Sequence, residues 1–377
     1  MKNYKYDITY VFGSGRNEKL LSEQDHGKEF FYGYPYFSKK DYRLNIIETE
    51  NQNSSNLTKK ILKFMDEFFA KFSKLTFYMN VLISRDTLSQ IYNSKNVITS
   101  NHGIGMSLFF YISLMKILKK INFIVILSGL FAMRKSNIIV RVLRKIIFTC
   151  FLFVVDYLIF TNRSEYDFAV KNYSKFETKF VCLPFCIDTD FWRPKSTPDF
   201  EEKKGVLFIG SNGHRDFNLV IEIANKLENI PFTFITNRIK DQDIKSRNVT
   251  NILGDWNRGY LSDEEVKNYY EKARLVILPI NNTLVSSGQS AGLQAASVGT
   301  PLITSSTIGF WDYETYQNRK NIILLNNNTL DLWAENIESL YYDKQKLEDL
   351  SKESLHLINS NYKLVNFDKE LEKYLLI

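Results

Sequence analysis

Cysteine and histidine are scarce in this chain, and one long stretch carries no acid. Only three cysteines, Cys150, Cys182 and Cys186, occur in 377 residues. Each stands in an apolar run with no histidine close by. That count supports neither a disulfide framework nor a four-ligand zinc site, and buried reduced thiols of a cytoplasmic protein are expected. A signal peptide is not visible: Met1 to Tyr10 is polar and then strand-like. A spanning helix needs about 20 apolar residues. The longest apolar run, Ile146 to Phe160, has 15 and contains Asp156. It reads as a buried helix running into a buried strand. Internal repeats and low-complexity tracts are also missing.

The missing acids fall between Asp86 and Asp156, a stretch that holds nine bases. Residues 1–195 carry 29 Lys and Arg against 17 Asp and Glu, so +12. The remainder carries 20 against 25, so −5, which leaves the net +7. A basic first half calls for an anionic partner, and the bases at Lys116–Lys120 and Arg134–Lys145 mark the face. With no recognisable reading module, nucleic acid is not that partner. Headgroups of an anionic membrane surface are expected there, with a merely solvated face as the alternative.

What is present is the balance of a globular protein, 44% hydrophobic and 24% charged, at a length that favours two domains. Apolar runs alternate with amphipathic ones. Strands are expected at 6–12, 43–49, 96–100, 122–128, 156–162 and 179–185, then at 205–210, 231–236, 249–254, 274–280, 300–305 and 321–325. Helices are expected between them, among them 215–229, 262–273 and 290–299. Ser262 and Glu265 have the spacing of a capping box. Continuous apolar strands alternating with helices imply parallel sheets covered on both faces, an α/β architecture. The polar segment 193–205 holds Pro194 and Pro198 and reads as a linker. The expectation is two doubly wound, Rossmann-like domains, 1–195 and 196–361. A C-terminal helix at 362–377 crosses back to the first, and a cleft lies between the strand ends.

Two loops of the second domain could hold an anion. In "SSGQSA", Gly288 and small residues open a helix after a buried strand, so free N–H groups and the helix dipole point outward. The alternative is an ordinary helix start capped by Ser290. In "IGSNGHRDF", Gly210 ends a strand, Ser211 and Asn212 turn, and Arg215 sits before a helix, where a cation is poorly placed for the dipole. The alternative is a solvated arginine. In the first domain, His102 and Gly103 follow a strand, facing the cleft or simply packed. Gly13 and Gly15 follow the first strand, a weak dinucleotide fingerprint because no helix pattern follows at once. The aromatic run 29–37 would stack on a sugar or lipid, or pack as a loop. Asp188 and Asp190 read as turn and cap residues, with no metal expected. No nucleophile–base pair stands out.

The ordered set "VLFIGSNGHRD", "NILGDW…LSDEEVKNYYEKARLVILP", "GLQAASVGTPLITS" and "IGFWDY" resembles the family-4-type glycosyltransferases of the GT-B fold. "VCLPFCIDTDFWRP" resembles the link into their second domain. The resemblance covers residues 155–345 well and the first 150 weakly. It implies a cytoplasmic, retaining hexosyltransferase, peripheral at the inner face of the plasma membrane. That enzyme would move a sugar from a nucleotide donor to a glycan or lipid-linked acceptor in cell-surface polysaccharide or glycolipid synthesis, without cofactor or metal. It implies a nucleotide-sugar site of Gly210, Ser211, Asn212, Arg215, Asp255, Trp256, Ser286, Ser287, Gly288, Gln289, Ser290, Ala291 and Gln294, with Asp255 and Trp256 at the base. His102 and Arg215 would serve catalysis, and Gly13, Gly15, His102 and Gly103 the acceptor side. The family's Glu-x7-Glu pair falls on Ser286 and Gln294, so both acids are absent, and Gln294 would meet the ribose as a neutral contact. The family's better-known cleft histidine falls at Ser128 and Gly129. An inactive scaffold that binds a partner protein and a sugar-nucleotide epimerase are the alternatives.

Overall fold

The computed structural model describes residues 4–49, 56–127, 129–131, 136–254 and 260–376. They form two compact units, each built on a six-stranded parallel sheet.

The first unit comprises Met1–Glu23, Phe30–Pro184 and Phe367–Ile377. Its elements are β1 (Tyr6–Phe12), α1 (Arg16–Leu21), α2 (Tyr34–Ser38), β2 (Leu44–Glu48), α3 (Asn56–Ser73), α4 (Met79–Leu82), α5 (Arg85–Tyr92), β3 (Ser94–Thr99), α6 (His102–Leu118), β4 (Asn122–Leu127), α7 (Ile138–Val154), β5 (Tyr157–Phe160), α8 (Arg163–Asn172) and β6 (Phe180–Cys182). The sheet order is β2-β1-β3-β4-β5-β6. Every residue of β4 is buried, as befits a central strand covered on both faces. After β3, β4 and β5 the chain turns into a helix through an asparagine. Asn101, Asn137 and Asn162 accept the N–H of Ile104, Val140 and Glu165. Each cap satisfies one orphan donor of its helix. The C-terminal residues of this unit join its sheet. Asn96 and Asn122 donate to the carbonyls of Leu376 and Tyr374, at 3.1 and 2.8 Å, and Glu372 accepts from Lys40 and Tyr36.

The second unit comprises Gln24–Glu29 and Phe185–Asn366. Its elements are β7 (Val206–Ile209), α9 (Phe217–Lys226), β8 (Phe232–Thr236), β9 (Val249–Leu253), α10 (Asp263–Lys272), β10 (Leu275–Leu278), α11 (Gln289–Ser297), β11 (Leu302–Ser305), β12 (Ile323–Leu325), α12 (Leu330–Tyr342) and α13 (Lys344–Asn361). The sheet order is β12-β11-β10-β7-β8-β9. Its core packs Trp333 with Phe208, Phe234 and Ile277, all fully buried. Ser262 and Glu265 form the capping box of α10. α14 (Leu364–Glu372) carries the chain out of this unit, and from Phe367 onward the residues belong to the first. The strap Gln24–Glu29 is tied down by its backbone: Gly27 N donates to Asp263 and Lys28 N to Asp188, at 3.0 and 3.2 Å.

The twelve expected strands all form, with ends shifted by at most three residues, the largest shift being at β6, which stops at Cys182. Four expectations need correction. Of the thiols only Cys186 is buried; Cys182 is half-buried and Cys150 exposed. The apolar run at 146–160 is not wholly inside, because Ile146 and Phe153 on α7 face outward. A helix, α1, does follow Gly15 directly; none of its residues is buried, so no apolar period betrayed it. Of the expected basic face, Lys116 pairs with Asp156 at 2.5 Å. Lys119 is buried over the rings of Tyr4 and Tyr92. Arg134 and Lys135 lie outside the described residues.

Candidate active site

The loops after β7 and β10 meet around one side chain, Arg215. It is 5% exposed, so it is not a solvated arginine. The side chain runs between two glycines whose missing side chains leave it room. A Cβ on Gly210 would stand 2.9 Å from Nε, and one on Gly288 only 2.5 Å from Nη1. Nη1 donates to Ser287 Oγ at 3.2 Å, while Nε is buried without a hydrogen-bond partner. Burial pushes the guanidinium down to about 10, so it remains a cation at neutral pH. No carboxylate neutralises it among the described residues. A buried, incompletely bonded cation is costly unless an anion completes it.

The helix beside it is open at its start. α11 begins at Gln289, with Gly288 as N-cap at φ 88° and no side-chain cap. Ser290 is therefore inside the first turn and not the cap. The left-handed conformation favours glycine, and Gln289 N donates to Ser286 O at 3.3 Å, so the amides of Ser290 and Ala291 are the ones that the first turn can offer. Amides and guanidinium together make an anion site. Ser286, Ser287 and Gln289 are buried around it, with Ala291 in the first turn. Ser211 holds the neighbouring loop ends: it donates to Gly254 O at 2.9 Å and accepts from Asn237 N at 3.2 Å. Asn212 accepts from His214 N and closes the turn that leads to Arg215. Asp255 and Trp256 follow Gly254 and lie outside the described residues.

Gln294 faces a group that the sequence did not suggest. Its Nε2 donates to Glu29 Oε1 at 3.2 Å, and its Oε1 accepts from Tyr270 at 3.3 Å. Trp192 Nε1 donates to the same Glu29 oxygen at 3.0 Å. The second carboxylate oxygen of Glu29 is buried with no partner. Burial pushes the Glu29 carboxyl up to about 7. Gly27 makes this packing feasible, since a Cβ there would lie 2.5 Å from Glu29 Oε2 and 2.6 Å from Trp192 Nε1. So an acid does stand at the Gln294 position, delivered by the strap. The sequence carried only a faint sign of it, an acid opening an aromatic run.

The first unit treats its glycine loop differently. Gly15 caps α1 at φ 86° and opens onto empty space, as does Gly13. Yet Glu48 Oε1 accepts from Arg16 N and Asn17 N, at 2.5 and 2.8 Å. The amides that would hold an anion already hold one. His102 is the first residue of α6 and half-buried, and Gly103 is pressed against the Tyr78 ring. Gly129 N donates to Glu165 at 2.9 Å; Ser128 lies outside the described residues. From the aromatic run, Phe31 and Phe37 are buried, which is the packed-loop reading. Asp188 accepts from Asp190 N and Phe191 N, a turn role. Among the described residues no cluster of three His, Cys, Asp or Glu side chains could hold a metal.

No protein-family profile and no curated protein matches the chain in sequence. Solved structures do match in shape. A glycosyltransferase from Rickettsia africae superposes with a TM-score of 0.65 at 12% identity, covering 99% of this chain and 98% of that one. Anabaena Alr3699/HepE, in complex with UDP-glucose, gives 0.65 at 9% identity over 97% and 98%. Sucrose-phosphate synthase from Thermosynechococcus elongatus gives 0.65 at 11% over 97% and 98%. Two doubly wound units, with the sheet orders given above and these neighbours along nearly the whole chain, are the GT-B fold.

Proposed function

We propose that the protein is a retaining glycosyltransferase that takes a hexose from a nucleotide-sugar donor. The observation that carries this reading is the buried Arg215 cation set against the uncapped start of α11. Such a pair suits a diphosphate: the guanidinium holds one phosphate oxygen and the amides of Ser290 and Ala291 hold others. Gln294 offers the ribose its second amide N–H, the first being held by Glu29. Asp255 and Trp256 meet the base. Neighbours of the same fold bind UDP and UDP-glucose, which makes a uridine donor the first to test.

Transfer breaks the bond between the anomeric carbon and the diphosphate and forms one to an acceptor hydroxyl on the same face. The hydroxyl proton passes to the departing phosphate oxygen. Arg215 and the α11 amides stabilise the charge that grows there, which is where an electrostatic contribution counts most. This route needs no nucleophilic side chain. Gly13, Gly15, His102 and Gly103 mark the acceptor side, and the acceptor is a glycan or lipid-linked glycan of the cell surface, met by a cytoplasmic enzyme at the membrane. Calorimetric titration with a panel of nucleotide sugars tests the reading. Saturable binding of one of them is expected, and failure of all of them hands the site to the inactive-scaffold alternative.

A further inference from the structure

We infer that the first unit docks on an anionic lipid surface through the outward faces of α3, α6 and α7, with apolar side chains entering the headgroup layer and bases around them. The donor site plays no part in this argument. α7 packs against both α3 and α6. Right-handed crossovers from β2 to β3, β3 to β4 and β4 to β5 put all three helices on one face of the sheet. Each turns an apolar stripe to the outside. On α3 it is Leu57, Ile61, Phe64, Phe68 and Phe72, spaced by four, three, four and four residues. On α6 it is Phe110, Leu114, Ile117 and Leu118, and on α7 Ile138, Val142, Ile146 and Phe153. Exposure reaches 69% at Leu57, 78% at Ile117 and 67% at Ile138. Scattered exposed leucines are ordinary, but three adjacent stripes are a patch that wants a partner.

Charge selects the occupant. Lys60, Lys63 and Lys71 on α3, Lys120 after α6, and Arg141 and Lys145 on α7 are exposed. Among the described residues of the three helices, Glu67 is the one exposed acid. A second copy of this chain would bring like charge against like. Protein interfaces favour Tyr, Trp and Arg anchors and avoid Lys. Here the protruding groups are Ile, Leu and Phe with lysines between, the composition of helices that lie in a membrane interface. No helix among the described residues is long and apolar enough to cross a bilayer, so contact would be from one side.

Flotation of the full chain with phosphatidylcholine vesicles, with and without phosphatidylglycerol, tests this. The parent should float with the anionic vesicles only, and salt should weaken the binding. The charge-preserving variant F64S/I117S/I138S should bind at least tenfold more weakly, since each buried apolar side chain is worth about tenfold. K60E/K145E should lose roughly tenfold or more. Unchanged melting temperatures would show that both variants fold, as surface changes should allow. Equal binding by parent and serine variant, equal binding to neutral vesicles, or no binding at all overturns the inference. So does a dimer of the parent that the serine variant abolishes. Flotation needs no sugar donor, so its failure leaves the transferase reading standing, and the converse also holds.

Discussion

The amide of Gln294 donates to the carboxylate of Glu29 at 3.2 Å, and both side chains are 2% exposed. The two residues lie 265 positions apart in the chain. Their contact changes what a substitution at 294 should do. A glutamate there matches the family's pattern and, by sequence alone, should be tolerated. In the structure it would set one buried carboxylate against another.

Above pH 7, where Glu29 is ionised, Gln294→Glu should therefore destabilise by about 3 kcal/mol or more, the scale of an uncompensated buried charge. The exchange Glu29→Gln with Gln294→Glu restores one acid and one amide and should recover most of the loss. Denaturant unfolding of the two single variants and the double variant measures the coupling. Additive losses would show that the contact has no energetic weight.

The raised pKa of Glu29 makes stability fall as pH rises. Its folded value, about 7, lies above the ordinary carboxylate value, so the folded state holds a proton that the unfolded chain has released. The stabilisation is complete below about pH 4 and lost as pH rises through 7. Glu29→Gln removes this slope. Melting temperatures from pH 5 to 8 should flatten in the variant relative to the parent.

Arg215→Ala should weaken nucleotide-sugar binding by about tenfold or more, because a charge-assisted hydrogen bond is worth about 1.5–3 kcal/mol. Arg215→Lys should recover part of it, lacking the planar fork. Gln294→Ala should cost less, about 0.5–1.5 kcal/mol of donor affinity. Calorimetry on the three variants reads these differences directly.

Gly288→Ala should be harmful twice over. The left-handed backbone at φ 88° costs a residue with a Cβ about 1 kcal/mol. The new methyl would lie 2.5 Å from Arg215 Nη1, so the guanidinium must move. Loss of nucleotide-sugar affinity should exceed the loss of stability. An unchanged affinity would mean that Arg215 does not touch the ligand.

The frame was legible because buried parallel strands are continuous apolar runs. β4, "NFIVIL", and β10, "LVIL", are short apolar runs rich in branched side chains, too short for helices of the usual length. The α10 start was legible from two residues three apart. Gly288 and Arg215 were legible as a glycine at a helix start and a cation where a dipole disfavours one. Glu29 was not, because its role depends on a strap that joins the second unit from the far end of the chain. Nor could the sequence tell which side of α7 faces out: an apolar residue reads the same whether it meets a core or something outside the molecule.

The Glu48 contact with the first turn of α1 has a wider consequence. Gly15 before α1 and Gly288 before α11 open their helices in the same left-handed conformation, one in each unit. In the first, the protein is its own ligand: the helix start is plugged by Glu48, at 2.8 Å from Asn17 N. In the second, no side chain caps the helix and a cation lies beside the glycine. The same backbone device thus serves opposite charges: one helix start holds a carboxylate and the other adjoins a cation, and side chains placed elsewhere in the chain decide which.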